Sequence, residues 1–500
     1  MPADNELDPL DRWLNQQVQP LLPPSGTFEL ITKRARRRRI RSAVLSVAGA
    51  AAVAAAVGVA VPVGMSLHLT TSPSATAGLA AGSAKPSGSS APSPGTASEE
   101  SGASASSAGA YASGANASGV TTPGYLPPNF QPYSVTWDSL STGWIMGPAG
   151  TPGHCGAQQD SSICTSVART DDGGQTWHGL PAPTVGGPMA ATGVTGLRFL
   201  NAKYGWAFGP ELWATDDGGE HWHAVPTGGA AVTDLETAGV RAFALFGDCT
   251  PPAGSTGDTI ANCTQYTLET ATAGSDTWTP VSGVPANLNL GTAERASAVI
   301  ELASPTGNEP ATGYLVAPDG TLYAGPLDGT AWHEVAKLPC TPGVSATDGL
   351  PQDLLLSPAG STSSGAARLA VLCTQSLAAA PAVYRSTDNG STWVQQTNIA
   401  SSGTASIGVP ESLTALPNGT LILATDPNAS SPGGIYLLPL GASQWQAATL
   451  SDPSASMYGF TYVGMTGPLQ GVALSANPTL NEIWMTTDGG QTWQARPIKS

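Results

Sequence analysis

The chain has 500 residues, including 60 glycines and 43 prolines, and only 11% of its residues are charged. This composition suits a turn-rich β protein and disfavours one built from long helices, and the length indicates several domains or a repeat array. The net charge is −16 overall and about −19 after residue 42, which argues against a nucleic acid as partner, because binding phosphates requires a basic surface.

Residues 1–41 form a short basic tail that we expect to be cytoplasmic. The stretch LDPLDRWLNQQVQPLL at 7–22 predicts one amphipathic helix, which is too small to build a core of its own. That helix would serve either as a docking peptide or as a helix lying on the membrane surface, close to the basic run KRARRRRIR at 33–41.

Residues 42–67 include no charged side chain in 26 positions and predict one transmembrane helix, since about 20 apolar residues cross the hydrocarbon layer. The basic run lies directly before this span and no comparable cluster follows it, so the positive-inside rule predicts a cytoplasmic N-terminus and an extracellular C-terminal part. Two alternatives stay open: the run binds anionic lipid or nucleic acid, or the span is a cleaved signal peptide. An uncleaved signal-anchor is favoured, because a signal peptide would need a polar leader of about 40 residues.

Residues 68–123 are almost entirely Ser, Ala, Gly, Thr and Pro, and they show no hydrophobic periodicity. A segment of this composition buries too little apolar surface to offset the entropy lost on ordering. It therefore predicts a disordered linker, spanning on the order of 40 Å on average, that holds the remaining chain away from the membrane.

Residues 124–500 repeat one motif, Ser/Thr-x-Asp-x-Gly-x-Thr-Trp. Asp and Asn side chains accept hydrogen bonds from nearby backbone and Gly supplies a positive φ, so the motif predicts a hairpin turn whose Trp opens the second strand. Four windows match the motif, and in the second of them His221 replaces the penultimate Thr. The recurring positions are Thr170, Asp172, Gly174 and Trp177; Thr215, Asp217, Gly219 and Trp222; Ser386, Asp388, Gly390 and Trp393; and Thr486, Asp488, Gly490 and Trp493.

Three weaker copies of the motif fill the gaps, at Trp278, Trp332 and Trp445. The seven tryptophans then recur at intervals of 45 to 61 residues. A period near 50 with four short strands per unit is typical of propeller blades. Seven units of about 54 residues use the whole of 124–500, so we predict an all-β, seven-bladed β-propeller.

The motif resembles the Asp-box, or BNR repeat, of sialidases and related seven-bladed propellers, including the photosystem II stability/assembly factor and sortilin types of the WD40/YVTN/BNR-like grouping. In that family the turn joins the third and fourth strands of a blade, away from the central pore. The resemblance therefore implies structural roles for the Asp, Gly and Trp residues above. The layout of tail, span, linker and propeller also resembles actinobacterial membrane proteins with BNR-type propellers.

The six cysteines all follow the predicted span, and an even number in an exported region indicates disulfides. Their order favours nearest-neighbour pairing, Cys155 with Cys164, Cys249 with Cys263 and Cys340 with Cys373, because each pair then falls inside one repeat. Metal binding is the alternative, but no Cys-x-x-Cys pair or zinc spacing occurs. Three histidines directly follow a motif Trp, which makes them a feature of the repeat; they are His178, His223 and His333.

Catalysis by a sialidase-like glycosidase is the most specific hypothesis that the resemblance raises. Sialidases use three arginines around the substrate carboxylate, a Tyr/Glu nucleophile pair and an acid Asp, and their first arginine lies in an Arg-Ile-Pro motif. The chain has no Arg-Ile-Pro, and its arginines beyond the linker include Arg169 and Arg385, which belong to the repeat. Motifs for nucleotide binding, serine hydrolases and zinc proteases are also missing.

The sequence therefore predicts a binding or scaffold module for a glycan or protein at the bacterial cell surface, with no cofactor, metal or assigned catalytic residue. Two alternatives remain: a glycoside hydrolase, and an assembly factor for a membrane complex like the photosystem II stability/assembly factor. The second rests on fold alone.

Overall fold

A computed structural model describes most of the part predicted to be the propeller. The tail, span and linker predicted at 1–41, 42–67 and 68–123 lie outside the described residues. The described residues are 126, 130–149, 164–183, 185, 193–249, 263–288, 299–302, 312–317, 319–340, 343–344, 351–374, 381–396, 400–401, 407–428, 431–477 and 481–499. Within these ranges, no helix is both long enough and apolar enough to span a membrane.

Seven sheets follow one another along the chain, and the first four are antiparallel with four strands each. Blade 1 has β1 (Ser134–Trp137), β2 (Gly143–Ala149), β3 (Cys164–Thr170) and β4 (His178–Leu180). Blade 2 has β5 (Gly196–Phe199), β6 (Gly205–Phe208), β7 (Leu212–Thr215) and β8 (His223–Ala224). Blade 3 has β9 (Ala231–Ala238), β10 (Arg241–Cys249), β11 (Cys263–Thr272) and β12 (Thr279–Pro280). Blade 4 has β13 (Val299–Leu302), β14 (Thr312–Val316), β15 (Thr321–Pro326) and β16 (His333–Lys337).

Each of the last three sheets has a fifth, two-residue strand. Blade 5 has β17 (Gly343–Val344), β18 (Pro351–Ser361), β19 (Ala367–Thr374), β20 (Ala382–Ser386) and β21 (Val394–Gln395). Blade 6 has β22 (Ala400–Ser401), β23 (Val409–Ala415), β24 (Leu421–Asp426), β25 (Gly434–Leu438) and β26 (Gln444–Ala447). Blade 7 has β27 (Thr449–Leu450), β28 (Phe460–Met465), β29 (Gly471–Ser475), β30 (Glu482–Thr486) and β31 (Thr492–Pro497), and a 3₁₀ helix, Pro453–Met457, precedes β28. Blades 6 and 7 each add one short parallel pair, β22 with β26 and β27 with β31.

The seven sheets form a closed ring, so the prediction of an all-β, seven-bladed propeller is confirmed. The innermost strands contact one another in chain order, from β1 through β5, β9, β13, β18 and β23 to β28. Hydrophobic clusters lie between successive blades, such as the one that joins Trp144 and Met146 of blade 1 to Leu197 and Phe199 of blade 2. The core of the protein is therefore a set of blade interfaces.

Blade 7 contacts blade 1 through side chains and backbone, and these contacts close the ring. No main strand is exchanged between the two blades, since each sheet is built from consecutive strands of the chain. One hydrophobic cluster unites Trp137 and Trp177 of blade 1 with Ile483 and Met485 of blade 7. The backbone N–H of Trp177 donates to the carbonyl of Lys499 at 2.9 Å, so the segment after β31 reaches the turn of blade 1. The last residues of the chain thus help to fix the seam.

Polar side chains of the innermost strands bind the backbone of the next blade. Ser134 accepts a hydrogen bond from the N–H of Leu197 at 2.8 Å, and Asp234 accepts one from the N–H of Ile300 at 3.0 Å. Inner edge strands have unpaired backbone groups, which are costly when buried. These side chains satisfy them and couple neighbouring blades.

The four motif turns, which are the windows 170–177, 215–222, 386–393 and 486–493, join the third and fourth main strands of blades 1, 2, 5 and 7. In the turn of blade 5, the carboxylate of Asp388 accepts hydrogen bonds from the hydroxyl of Ser386 at 2.7 Å and from the N–H and hydroxyl of Thr392 at 2.9 and 2.6 Å. Gly390 has φ 88°, and a Cβ there would lie 2.6 Å from Leu322 of blade 4. The glycine thus permits both the turn and the close packing of two blades.

Replacing Asp388 with alanine is expected to lower the free energy of unfolding by about 1–2 kcal/mol at pH 7, because three hydrogen bonds inside the turn are lost. The hydrogen bond from the Thr392 hydroxyl, with the N–H bonds, lowers the pKa of Asp388 from its ordinary value of 3.8. A carboxyl group whose pKa is lowered by folding stabilises the fold at a pH above its unfolded-state pKa. That stabilisation is lost as the pH falls through the lowered pKa of the folded state. Urea unfolding of both proteins should therefore show a smaller difference near pH 2 than at pH 7, and an equal difference at both would contradict this role.

Candidate functional site

The residues of the four motif turns lie away from the axis, one turn on each of four blades, and they do not converge on a common site. Trp177, Trp222 and Trp493 are buried at 2%, 7% and 0% exposure between blades. Trp393 differs, because it is only partly buried at the edge of the core shared by blades 4, 5 and 6. The four turns hold the ring together and offer no shared surface to a ligand.

Two disulfides are present among the described residues, both between cysteines that are neighbours in chain order. Cys249 and Cys263 join adjacent ends of β10 and β11 in blade 3. Cys340, in the connection after blade 4, joins Cys373 on β19 of blade 5. The predicted partner pair Cys155 and Cys164 lies outside this part, since Cys155 and the side chain of Cys164 are not described.

The three histidines that follow a motif Trp begin the fourth strands of their blades, at His178, His223 and His333. The Nε2 atom of His223 lies 3.0 Å from a carboxylate oxygen of Asp276 in blade 3, and both side chains are about half exposed. Within the described residues, no group of three or more His, Cys, Asp and Glu side chains has the arrangement to hold a metal ion.

A buried charged cluster lies at the axis, where the innermost strands of different blades meet. Arg198 on β5 forms a two-pronged salt bridge to Glu236 on β9, with nitrogen–oxygen distances of 3.0 and 2.7 Å. A third donor of the guanidinium binds the carbonyl of Leu197 at 3.0 Å. Their side chains are 4% and 2% exposed, so this pair is removed from solvent.

Further ionisable side chains surround this pair. Tyr462 on β28 is close enough to interact electrostatically with Arg198, Glu236 and Glu301. Glu301 on β13 and Glu411 on β23 are 1% and 2% exposed. The axis therefore gathers one arginine, a tyrosine and several carboxylates from five blades, a set related to the one that a sialidase-like glycosidase requires.

The axial groups are closed off from a substrate, since the side chains of Arg198 and Glu236 are 4% and 2% exposed. Burial raises the pKa of the Tyr462 phenol, although Arg198 opposes the change, so the phenol stays protonated at neutral pH. A nucleophilic tyrosine needs the opposite shift. Burial also raises the pKa of Glu236 to about 7 against the attraction of Arg198. Arg198 is bound to Glu236 and is closed off from a substrate carboxylate.

No role could be assigned to these axial residues from the sequence, although one signal was available. Thr136 precedes Trp137 at the end of β1, and Arg198 precedes Phe199 at the same place on β5. Arg198 thus occupies in blade 2 the strand position that a small hydroxyl residue has in blade 1. Among the other arginines, Arg385 bridges blades by donating to the carbonyl of Gly419 at 2.8 Å, and Arg295 lies outside the described residues.

An open cleft lies between the outer parts of blades 2 and 3. Its volume is about 300 Å³, and the connection 226–230 forms one wall. Three carboxylates, two aromatic rings and an amide line it: Asp248, Glu269, Asp276, Phe246, Trp278 and Gln265.

The cleft has an aromatic corner and an acidic rim. The rings of Phe246 and Trp278 meet nearly edge to face, with centroids 5.5 Å apart. Asp276, which pairs with His223, is half exposed at the mouth. Burial raises the pKa of Glu269, so this carboxylate is partly desolvated inside the cleft. Aromatic faces beside carboxylates can hold a cationic group or the hydroxyls of a sugar.

A second cavity of about 380 Å³ adjoins this cleft on the other side of the connection 226–230. Glu211, Leu212 and Val225 of blade 2 line it, together with Cys249 of the blade 3 disulfide. Thr227 and Ala230 line both cavities. The two spaces therefore form one extended concave surface along the boundary of blades 2 and 3.

Comparison with known proteins finds no matching family model and no matching curated protein. Solved structures that are similar include YCF48 bound to a D1 peptide, at 16% identity and a TM-score of 0.43, covering 73% of this chain and 95% of that one. YCF48 from Cyanidioschyzon merolae is 14% identical with a TM-score of 0.37, covering 60% and 84%. The GH74 xyloglucanase from Xanthomonas campestris is 16% identical with a TM-score of 0.40, covering 73% and 60%. At these values the likenesses assign no function.

Proposed function

We propose that the chain is a membrane-anchored, extracytoplasmic β-propeller that binds a protein or glycan at the bacterial cell surface and catalyses no reaction. The observation that carries this proposal is a contrast within the ring. The ionisable groups at the axis are at most 5% exposed, whereas the cleft between blades 2 and 3 is open and lined by polar and aromatic side chains.

The membrane anchor in this proposal rests on the sequence. The uncharged span at 42–67 follows a basic run, and the Ser/Ala/Gly/Pro linker at 68–123 then leads to the propeller. With this order, the positive-inside rule predicts that the propeller lies outside the cell. Disulfides in blade 3 and between blades 4 and 5 are in keeping with an oxidising compartment.

The axial cluster supports a structural role over a catalytic one. A glycosidase presents an acid and a nucleophile or base to a bound sugar, and both groups must touch the substrate. Arg198 and Glu236 instead bind each other across two blades and are nearly inaccessible to solvent. Such a pair fixes the relative position of the innermost strands.

The proposal is tested with the full-length chain purified into nanodiscs. We expect no hydrolysis of a fluorogenic α-sialoside or of xyloglucan oligosaccharides above the rate of a heat-denatured sample, because the axial groups Arg198, Glu236 and Tyr462 are buried away from a substrate. The same preparation should bind saturably on a glycan array or on a peptide array. Turnover that disappears on heating would contradict the non-catalytic part of the proposal, and a lack of binding on both arrays would contradict the binding part.

A further inference from the structure

The connection that leads into blade 7 pairs with the outer strand of that blade. It forms β27, which runs parallel to β31 and places Leu450 opposite Trp493. The N–H of Thr449 donates to the carbonyl of Gln491 at 2.9 Å, and the N–H of Ser451 donates to the carbonyl of Trp493 at 2.9 Å. Because an outer edge strand has unpaired backbone groups, this short segment satisfies them at the motif Trp.

The same kind of contact recurs at three other blades. In blade 6, β22 runs parallel to β26 and places Ser401 opposite Trp445. In blade 4, the N–H of Trp332 donates to the carbonyl of Ser282 at 3.0 Å, and in blade 1 the end of the chain accepts the N–H of Trp177. Short segments of this chain therefore cover the outer edges of blades 1, 4, 6 and 7 at the motif Trp.

The connection 225–230, which leads into blade 3, is the shortest that joins one blade to the next. Its first residue, Val225, donates its N–H to the carbonyl of Leu212 at 2.8 Å, and Ala448 makes the equivalent bond before blade 7. Both residues lie three positions after the motif Trp of their blade. The two connections therefore begin in the same phase, and they can be compared residue by residue.

After its first residue, the connection into blade 3 leaves the outer edge. Its second residue is Pro226, which has no N–H to donate where Thr449 of the other connection has one. The N–H of Ala230 then donates to the carbonyl of Thr227 at 3.2 Å, so the chain turns back towards β9. The connection thus supplies no covering strand to blade 3.

The outer edge of β12 in blade 3 has free backbone groups. Thr279 pairs with Thr270 of β11, and two residues later Val281 donates to the carbonyl of Leu268. Since the backbone groups of successive residues point to opposite sides of a strand, the N–H and carbonyl of Trp278 point away from β11. Neither group has a hydrogen-bond partner among the described residues.

The cleft between blades 2 and 3 is the space in which a covering segment would lie. Trp278 lines one side of it, and Pro226 and Thr227 of the connection line the other. The side chain of Trp278 is only partly buried, whereas Trp332 and Trp493, which have covering segments, are 2% and 0% exposed. The open cleft and the open edge are therefore one feature of blade 3.

We infer that an extended segment of a partner protein adds to the outer edge of blade 3 in this cleft, parallel to β12, which deepens the proposed binding function and rests on it. The segment donates to the carbonyl of Trp278 and accepts its N–H, as a strand does when it adds to the edge of a sheet. Its paired residues have an N–H and small or uncharged side chains, as in β22 and β27, whose sequences are Ala-Ser and Thr-Leu.

Fluorescence anisotropy with the labelled peptide Ala-Ala-Thr-Leu-Ser tests this inference on the full-length chain in phosphatidylcholine nanodiscs. The peptide has the sequence of 447–451, which covers blade 7. The control peptide, Ala-Ala-Pro-Leu-Pro, lacks the two N–H groups that donate there. The first peptide should bind saturably and about tenfold or more tightly than the control. Its affinity should change by no more than about twofold at high salt, because the contact uses no charge.

Two variants of the chain locate the binding site. Thr227→Phe places a ring in the cleft and should weaken binding of the first peptide about tenfold or more, while the carbonyl of Thr227 keeps its bond from Ala230. Thr487→Phe makes the same change at an exposed turn residue of blade 7, whose edge is covered, and should leave the affinity unchanged. Thermal unfolding must show that each variant remains folded.

Equal binding of the two peptides to the unchanged chain would overturn the inference, and this comparison needs no variant. Equal affinity of the first peptide for folded Thr227→Phe and for the unchanged chain would overturn it as well, since the peptide would then bind elsewhere.

Failure of this inference differs from failure of the proposed function. If a ligand on the arrays binds equally to the unchanged chain and to Thr227→Phe, and Ala-Ala-Thr-Leu-Ser does not bind, the edge of blade 3 is the wrong site and the binding module stands. If neither the arrays nor the peptide show binding to the folded chain, both are wrong.

Discussion

Replacing Glu236 with alanine is expected to lower the free energy of unfolding by about 3–5 kcal/mol, because the charge of Arg198 would then be buried without its partner. The pair is 2.7 Å apart and almost fully buried at the junction of blades 2, 3 and 7. Urea unfolding followed by tryptophan fluorescence measures the loss. A loss below about 1 kcal/mol would mean that water or another group reaches Arg198, and the closed axis would be refuted.

A double variant provides the matched control for this prediction. Arg198→Met with Glu236→Leu removes both charges and keeps apolar volume on β5 and β9. Replacing a buried ion pair by apolar side chains is often neutral in stability, so the double variant should recover most of the loss. If the double variant is as unstable as Glu236→Ala, the cost comes from packing and does not come from the unpaired charge.

Replacing Trp493 with alanine is expected to cost about 3–5 kcal/mol as well, through the cavity left between blades 6 and 7. The indole is fully buried in a cluster with Phe460 and Trp484, and its N–H donates to the carbonyl of Gly490 at 2.9 Å. Unfolding by urea or heat gives the comparison with the unchanged protein.

Trp393 provides the internal control, because it is the same residue of the same motif in blade 5. Its side chain is only partly buried, so its replacement by alanine should cost about 1–2 kcal/mol, clearly less than at Trp493. Equal losses at the two positions would contradict the difference in burial. This ranking corrects the expectation from the repeat, which treats the two tryptophans as equivalent.

The number and phase of the blades could be predicted from the sequence because the signal is local. The turn between the third and fourth strands is specified within eight residues, by the Asp carboxylate, the glycines and the hydroxyls that bind them. Each turn marks one blade, and weaker copies at Trp278, Trp332 and Trp445 complete the count. Four short strands per unit then follow from the interval between the tryptophans.

The candidate sites could not be predicted, because both depend on contacts between distant parts of the chain. Arg198, Glu236 and Tyr462 come from blades 2, 3 and 7, and only the closed ring brings Tyr462 to the other two. The cleft lies between the connection 226–230 and the strands of blade 3, and no motif marks its lining. In the sequence, Asp248 precedes and Glu269 follows the connection 250–262. Only the register of β10 and β11 brings these two residues to the same face of the sheet.

The membrane anchor, the linker and the Cys155–Cys164 pair remain predictions, since they lie outside the described residues. They concern the predicted location of the propeller, and the description of the ring does not depend on them. The proposed binding function depends instead on the contrast between the closed axis and the open cleft, and both are formed by described side chains.

Chemical labelling of carboxylates tests that contrast most directly. The folded full-length chain is treated with a water-soluble carbodiimide and an amine, and the labelled residues are mapped by mass spectrometry. We expect labels on Glu269 and on the half-exposed Asp276 at the cleft, and none on Glu236 or Glu301, which are 2% and 1% exposed at the axis. Labelling of Glu236 or Glu301 as fast as that of Asp276 would show that the axis is open to solvent and would contradict the contrast.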